Sequence, residues 1–449
     1  MSRLRFGWFA LLATLSTSRA QAEPASLKPS SNAVCDREST AIGRSACRLA
    51  DSLAGHADSA LVVAAAAVGD DRVALPGAVS ERLAQLVATR LGASAQASKE
   101  PLTLPQAQRV SSSARGLIYL TVSLFRDRLD VSADVFAGAG HFWQRVKSPG
   151  LRLKAHTFTT TALDPELRAL FPAIPLVVSR VDKAQTAEHD ILALACGDLR
   201  GDGSSEIATV GRRHVQVGRL EHGRFTARAS LNWSENSAIA ASPLREPIAA
   251  SAVPEPGRLW VGLSDRADAL DLSSGLKVEH KWHALMPWPG AGCTRRSGIG
   301  YEGKARACPG SGAIAEVDFG NVVDAFDSRA LTNRSGQEHT LRVARPVGAD
   351  FARALDSLQP EVIVPNVGAQ VAIGDLDEDG LPEIVSSSPS LDRRADQLLV
   401  RTLTDNGQLR ERLRVPVPSG IDALAICPSD GRAMAPLALA TGDGIWLIR

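Results

Sequence analysis

A chain of 449 residues is long enough for two domains, and a hydrophobic share of 44% supplies ordinary material for their cores. The 50 basic side chains against 49 acidic ones leave a formal charge of +1, which argues against a nucleic-acid-binding surface. After the N-terminal apolar run, no segment reaches the roughly 20 apolar residues that a membrane-spanning helix needs.

Residues 1–22 read as a signal peptide. Arg3 and Arg5 form a basic start, Phe6 to Leu15 an apolar stretch, and Ala20-Gln21-Ala22 a small-residue cleavage site. The mature protein is therefore expected to be secreted or periplasmic, with 23–39 a loose N-terminus. Over 40–173 a small α/β sandwich is expected. A helix runs from Thr40 to about His56, a buried strand over Ala60–Ala67, and a helix from Pro76 to Leu91. In that helix Val79, Leu83, Leu86, Val87 and Leu91 share a face, with Pro76 at N1 and Gly92 past the end. A weaker helix, Leu104–Ala114, precedes a hairpin of Leu117–Phe125 and Leu129–Phe136, with a third strand at Phe142–Val146. Asp164 caps a short helix that starts at Pro165. In element order alone this region resembles the N-terminal domain of TolB-type periplasmic proteins, in which it also precedes a propeller.

From 174 to 449 the chain turns β-rich, and two stretches share one frame. Gly374-Asp375-Leu376-Asp377-Glu378-Asp379-Gly380-Leu381-Pro382-Glu383 sets carboxylates at loop positions 1, 3, 5 and 9, with glycine at 6. Alternate carboxylates around a tight glycine bend suit a hard cation that takes six to eight oxygens. Asp375, Asp377, Asp379 and Glu383 are the expected side-chain ligands, with the Leu381 carbonyl at position 7. An EF-hand needs an acid at position 12, where this chain has Ser386, and apolar strand-like flanks replace its helices. The earlier stretch, Gly197-Asp198-Leu199-Arg200-Gly201-Asp202-Gly203-Ser204-Ser205-Glu206, keeps Asp198, Asp202 and Glu206 but has Arg200 at position 3. Arg200 either spoils an ion site or neutralises the remaining carboxylates itself. For both loops an acidic solvated turn is the alternative.

Both stretches resemble FG-GAP/VCBS repeats, the calcium-loop blades of integrin-α-type β-propellers. The resemblance covers some forty residues and implies an all-β propeller over 174–449, of five to seven blades, with calcium in a structural role. Candidate blade cores are Ile191–Val217, Ile248–Leu272, Ala313–Val343, Val371–Thr404 and Ile421–Ile448, and Pro175–Val181 is placed to pair with the last and close the ring.

Six cysteines in an oxidising compartment are expected to form disulfides. Proximity favours Cys35–Cys47 and Cys293–Cys308, which leaves Cys196 and Cys427. These two end matching strands in the first and last candidate blades, as a disulfide between neighbours or as two free buried thiols. Zinc-type spacing is missing from the sequence.

No catalytic constellation stands out, and no residue is assigned a catalytic or organic-cofactor role. Arg200-Gly201-Asp202 is an RGD tripeptide inside the metal-type loop, where coincidence is the simpler reading. Trp282, His283, Trp288 and Tyr301 are a candidate carbohydrate floor or interblade packing. The expected function is non-catalytic binding or scaffolding outside the cytoplasm, with a protein or glycan ligand on the propeller rim. One alternative is an extracytoplasmic lyase or hydrolase acting on a carbohydrate or phosphoester. Its mark would be Asp265, Asp268, His283 or Asp327 converging on one pocket. A purely structural envelope component is the other alternative.

Overall fold

The computed structural model describes residues 35, 36, 38, 40–55, 60–64, 68–69, 76–92, 95–111, 116–126, 128–137, 152–168, 170–241, 246–290, 292–310, 316–334 and 337–449. The signal segment and the strand expected at Phe142–Val146 lie outside these residues. The structure is mostly β-sheet with few helices, and the chain forms two compact units. All of Thr160–Arg449 belongs to the second.

Ahead of Thr160, α1 (Ala41–Leu53) starts where the Thr40 hydroxyl accepts the Gly43 N–H at 3.1 Å, which satisfies one orphan donor of the first turn. Its buried face carries Cys47, joined by a disulfide to Cys35. The strands β1 (Ala60–Ala64) and β2 (Val68–Gly69) precede α2 (Pro76–Leu91), which ends at Gly92 with φ +97°. Val79, Leu83 and Val87 are the buried stripe of α2. After β3 (Gln96–Ala97) and α3 (Leu104–Val110) come β4 (Gly116–Leu124), β5 (Arg128–Ala137) and β6 (Arg152–Ala162). The sheet order is β3-β1-β4-β5-β6, with β2 beside β4. Parallel pairing of β1 with β3 and β4 explains the unbroken apolar run of β1, since each link must cross over through a helix. At the short helix α4 (Pro165–Arg168), Asp164 Oδ1 accepts the Leu167 N–H at 3.0 Å.

Within the second unit, the chain from Val181 onward forms a β-propeller. After β7 (Val181–Ala184), an antiparallel sheet takes β8 (Ile191–Gly197), β9 (Glu206–Gly211), β10 (His214–Glu221) and β11 (Arg224–Asn232) in sequence order. A second takes β12 (Ala249–Ala252), β13 (Arg258–Leu263), β14 (Asp268–Ser273) and β15 (Val278–His283). A seven-stranded sheet follows: β16 (Leu285–Trp288), β17 (Gly292–Ser297), β18 (Gly300–Ala307), β19 (Val317–Thr332), β20 (Glu338–Pro346), β21 (Phe351–Asp356) and β22 (Val362–Pro365). The fourth has β23 (Val371–Gly374), β24 (Glu383–Ser387), β25 (Gln397–Leu403) and β26 (Leu409–Pro416). The last has β27 (Ile421–Ile426), β28 (Leu437–Thr441) and β29 (Gly444–Ile448), and β7 completes it.

Leading strands follow one another around a ring: β8 packs on β12, β12 on β16, β19 on β23, β23 on β27, and β27 back on β8. Meanders radiating from a central channel in this way define a propeller. The apolar cores lie between adjacent sheets. Ala208, Val210 and Val217 of the first sheet meet Leu259, Val261 and Leu272 of the second, and Leu398 and Val400 of the fourth meet Leu437 and Leu439 of the last. Sheets buried on both faces account for strands buried at every position, such as β9, β24 and β28.

Two devices close the ring. The β7 strand pairs antiparallel with β29, Val181 opposite Ile448 and Ala184 opposite Ile445, so the closing segment starts where the sequence expectation ended. Cys196 of β8 is joined to Cys427, just after β27, with Cα atoms 4.7 Å apart. Cys293–Cys308 ties β17 to the end of β18. All three cysteine pairs are thus formed as the sequence suggested.

Candidate metal centre

The two acidic stretches fold into one backbone form. Gly374 pairs with Glu383 across β23 and β24, and Gly197 pairs with Glu206 across β8 and β9, so each loop spans the same register. Positions 4 and 6 are left-handed in both: Glu378 φ +54° and Gly380 +81°, Gly201 +78° and Gly203 +82°. Position 2 is a buried leucine in each, Leu376 and Leu199, which pins the turn to its sheet. The position-1 aspartate organises the bend. Asp375 Oδ1 and Oδ2 accept the N–H groups of Asp379 and Gly380, both at 3.0 Å. Asp198 accepts from Gly201, Asp202 and Gly203 at 2.7, 3.1 and 2.9 Å.

What answers the charge differs. In the later loop, oxygens of Asp375, Asp377 and Glu383 lie within 4.8 Å of one another. Glu383 is fully buried and accepts from the Leu376 N–H at 2.7 Å and the Thr402 hydroxyl at 2.8 Å. Asp377 is 4% exposed, and its Oδ1 is buried with no hydrogen-bond partner among the described residues. The nearest cation to Asp377 is the Arg412 guanidinium, 3.7 Å from Oδ2. Asp375 and Glu383 have no ion pair among the described residues. Burial, aided by mutual repulsion, pushes Asp375 up to about 7, Asp377 to about 6 and Glu383 to about 9. Asp379 is outside that cluster but close enough to repel Asp375 and Asp377: its Oδ1 accepts the Leu381 N–H at 2.8 Å, and Arg334, from the hairpin between β19 and β20, binds its Oδ2. Arg334 Nε also donates to the Asp379 carbonyl at 3.0 Å. Leu381 is buried at position 7.

The earlier loop carries its own cations. Arg228, on β11, grips the buried Glu206 with Nε and Nη2 at 3.0 and 2.8 Å. Arg200 places Nε 3.7 Å from Glu206 Oε1 and Nη1 3.6 Å from Asp202 Oδ2. Arg219 donates to the Ser204 hydroxyl, which in turn donates to Asp202. Backbone N–H groups hold Asp198 below the usual carboxylate range, and the Ser204 hydroxyl and N–H do so for Asp202. No oxygen trio like that of Asp375, Asp377 and Glu383 forms there among the described residues. Sequence reading missed Arg228, Arg334, Arg412 and Thr402, because they arrive from other strands and only strand register brings them in.

A cavity of about 430 Å³ runs along the leading strands of the propeller. Of the residues proposed to mark an enzyme, only Asp327 reaches it. Asp327 accepts the N–H groups of Ser328 at 2.8 Å and Ile373 at 2.7 Å, and burial pushes it up to about 6. Asp268 on β14 and His283 on β15 pair across the strands at 3.1 Å, with His283 exposed. Trp282 and Trp288 are interior packing, edge-on to Trp260 at 5.0 Å and stacked on Phe326 at 4.0 Å. Tyr301, 5.1 Å from Phe326, is the one member of the aromatic set on the cavity wall.

No protein-family model and no curated protein matches the chain. Among solved structures it is similar to BBS1N in complex with ARL6DN, at 11% identity over 72% of this chain and 87% of that one, TM-score 0.35. It is also similar to TolB from Acinetobacter baumannii, at 11% identity over 79% and 93%, TM-score 0.33. A third is KlHsv2 with loop 6CD replaced by a Gly-Ser linker, at 10% identity over 73% and 95%, TM-score 0.28. Likenesses this low assign neither an activity nor a ligand. No helix among the described residues is long and apolar enough to cross a membrane.

Proposed function

We propose that the chain is an exported, non-catalytic binding or scaffold protein of FG-GAP/VCBS type, whose propeller is stabilised by one calcium ion in the Asp375–Glu383 loop. The observation that carries this is the buried Asp377 Oδ1, without a partner among the described residues, beside two further carboxylates that lack ion pairs there. Buried carboxylates left so are costly unless a cation completes them. An all-oxygen carboxylate set suits calcium, with Asp375, Asp377 and Glu383 as ligands. The Leu381 carbonyl is a further donor in this reading, and Asp379 stays with Arg334. Calcium there supplies charge and holds a turn. In the Asp198 loop, Arg228 and Arg200 take the place of the ion on Glu206 and Asp202.

The three disulfides support folding in an oxidising compartment. The Cys293–Cys308 hairpin is a candidate recognition element for a protein or glycan partner. Thermal unfolding with calcium and with a chelator tests the reading. At a hundredfold excess over Kd the ion adds about 2.7 kcal/mol, so chelation lowers Tm, and Asp377→Ala removes most of that response. An unchanged wild-type melting curve would reject the ion site. Mass spectrometry of the secreted protein should find Glu23 at its start, and a retained Met1 would reject export by cleavage.

A further inference from the structure

The propeller channel holds neutral hydrogen-bonding groups that lack partners among the described residues. Tyr301 is 1% exposed, lies on the channel wall, and its hydroxyl is buried without a partner among the described residues. Ser251, on β12 of a different sheet, lines the same channel, and its Oγ is likewise buried and unpartnered. Gln370, at the entry to β23, lines the same cavity and is partly exposed. Buried polar groups are almost always paired, so two orphans lining one channel call for a ligand or for ordered water.

The carboxylates of the channel are, in contrast, already answered from within the protein. Asp324 is held by Arg345 at 2.8 and 2.6 Å. Asp422 is paired with Arg393, and Asp327 is taken by two backbone N–H groups. Three carboxylates disfavour an anion, and their existing partners leave little for a cation to gain. Arg329 sits five residues beyond Asp324 along β19, on an exposed position at some 16 Å by strand rise. It therefore does not share the Tyr301 end. Between the polar groups the wall is small and apolar, with Ala250, Ala325 and Phe326. Hydroxyl and amide groups set among apolar and aromatic faces match a molecule with hydroxyls around a C–H framework.

We propose that the channel binds a neutral polyhydroxylated molecule of mono- to disaccharide size, hydrogen-bonded by Tyr301, Ser251 and Gln370. This site is distinct from the metal loop and from the rim, and does not depend on the calcium reading. The phenol, raised by burial above its usual range, is a neutral hydroxyl at every working pH.

Saturation-transfer NMR on the full chain, with D-glucose, maltose and cellobiose as probes, tests it in calcium and again in chelator. The expected result is transfer to at least one sugar, with affinity falling about fivefold or more in Tyr301→Phe and in Ser251→Ala. Both variants remove an unpartnered polar atom, so their melting temperatures should hold or rise, which separates lost binding from lost folding. No transfer to any of the three sugars overturns the proposal in favour of a channel filled by water. Undiminished binding in both variants overturns it too, because the sugar then sits elsewhere.

Discussion

The loops after β8 and β23 have the same register and the same left-handed residues at positions 4 and 6, yet they solve one electrostatic problem in two ways. The Asp198 loop brings Arg228 onto Glu206 at 2.8 Å and Arg200 within 3.7 Å, so its charge is balanced by the chain itself. The Asp375 loop buries Asp377 and Glu383 and half-buries Asp375, with Arg412 as the nearest cation, at 3.7 Å from Asp377 alone. One arginine at position 3 thus goes with a self-contained turn, and one aspartate with a turn whose carboxylates are left to the proposed calcium. The backbone of the turn is indifferent to which is used, since in both it is organised by the position-1 aspartate.

The largest expected effect sits in the self-contained loop. Arg228→Ala leaves Glu206 buried and without its bidentate partner, a loss of about 3 kcal/mol, the low end for a broken buried pair because Arg228 is partly exposed. Chemical denaturation at neutral pH measures it, and the loss should be the same with and without chelator. A chelator-dependent loss would mean that this loop also holds an ion.

The next contrast is in pH. The three carboxylates of the Asp375 loop have folded-state values of about 7, 6 and 9, raised above their unfolded values. Without an ion, the stability tied to their protonated form is complete below about pH 4 and is lost as pH rises through 6 to 9. Asp198 and Asp202 are shifted the other way, so their contribution is present above the usual carboxylate range and fades only as pH falls through it. Chelated protein should therefore melt lower at pH 9 than at pH 5, and calcium should flatten that slope. An equal slope in both conditions would break the assignment to this loop.

Exchanging the devices sharpens the comparison further. Arg200→Asp with Arg228→Ala restores a carboxylate at position 3 and frees Glu206. Titration calorimetry should then count two calcium ions per chain in place of one, with calcium recovering much of the stability lost. A count that stays at one would show that strand context, not position 3, decides. The smallest effect is expected from Arg334→Ala, which removes a half-exposed pair with Asp379 worth about 0.5 kcal/mol or less. It should leave calcium affinity nearly unchanged, and a tenfold change would place Asp379 among the ligands.

Local signals carried far where the relevant physics is local. Pro76 and Gly92 bounded their helix because a missing N–H is free at N1 and a left-handed residue is cheap past the C-terminus. The two loops were legible because alternate acids and a glycine bend are a property of ten consecutive residues. Cys196 and Cys427 could be matched as repeat positions, although only a closed ring makes two residues 231 apart into neighbours. Register across strands, by contrast, is written in no single segment. It put Arg228 on Glu206, Thr402 on Glu383 and Arg412 near Asp377, and it packed Trp282 and Trp288 into the sheets while leaving Tyr301 on the channel. It also merged β16 to β22 into one seven-stranded sheet where the sequence suggested a single blade core. The sequence by itself determined the turns, the helix ends and where carboxylates cluster within the loops. Tertiary structure alone decided which charges are answered from within, because that depends on side chains that meet only after the sheets pair and the ring closes.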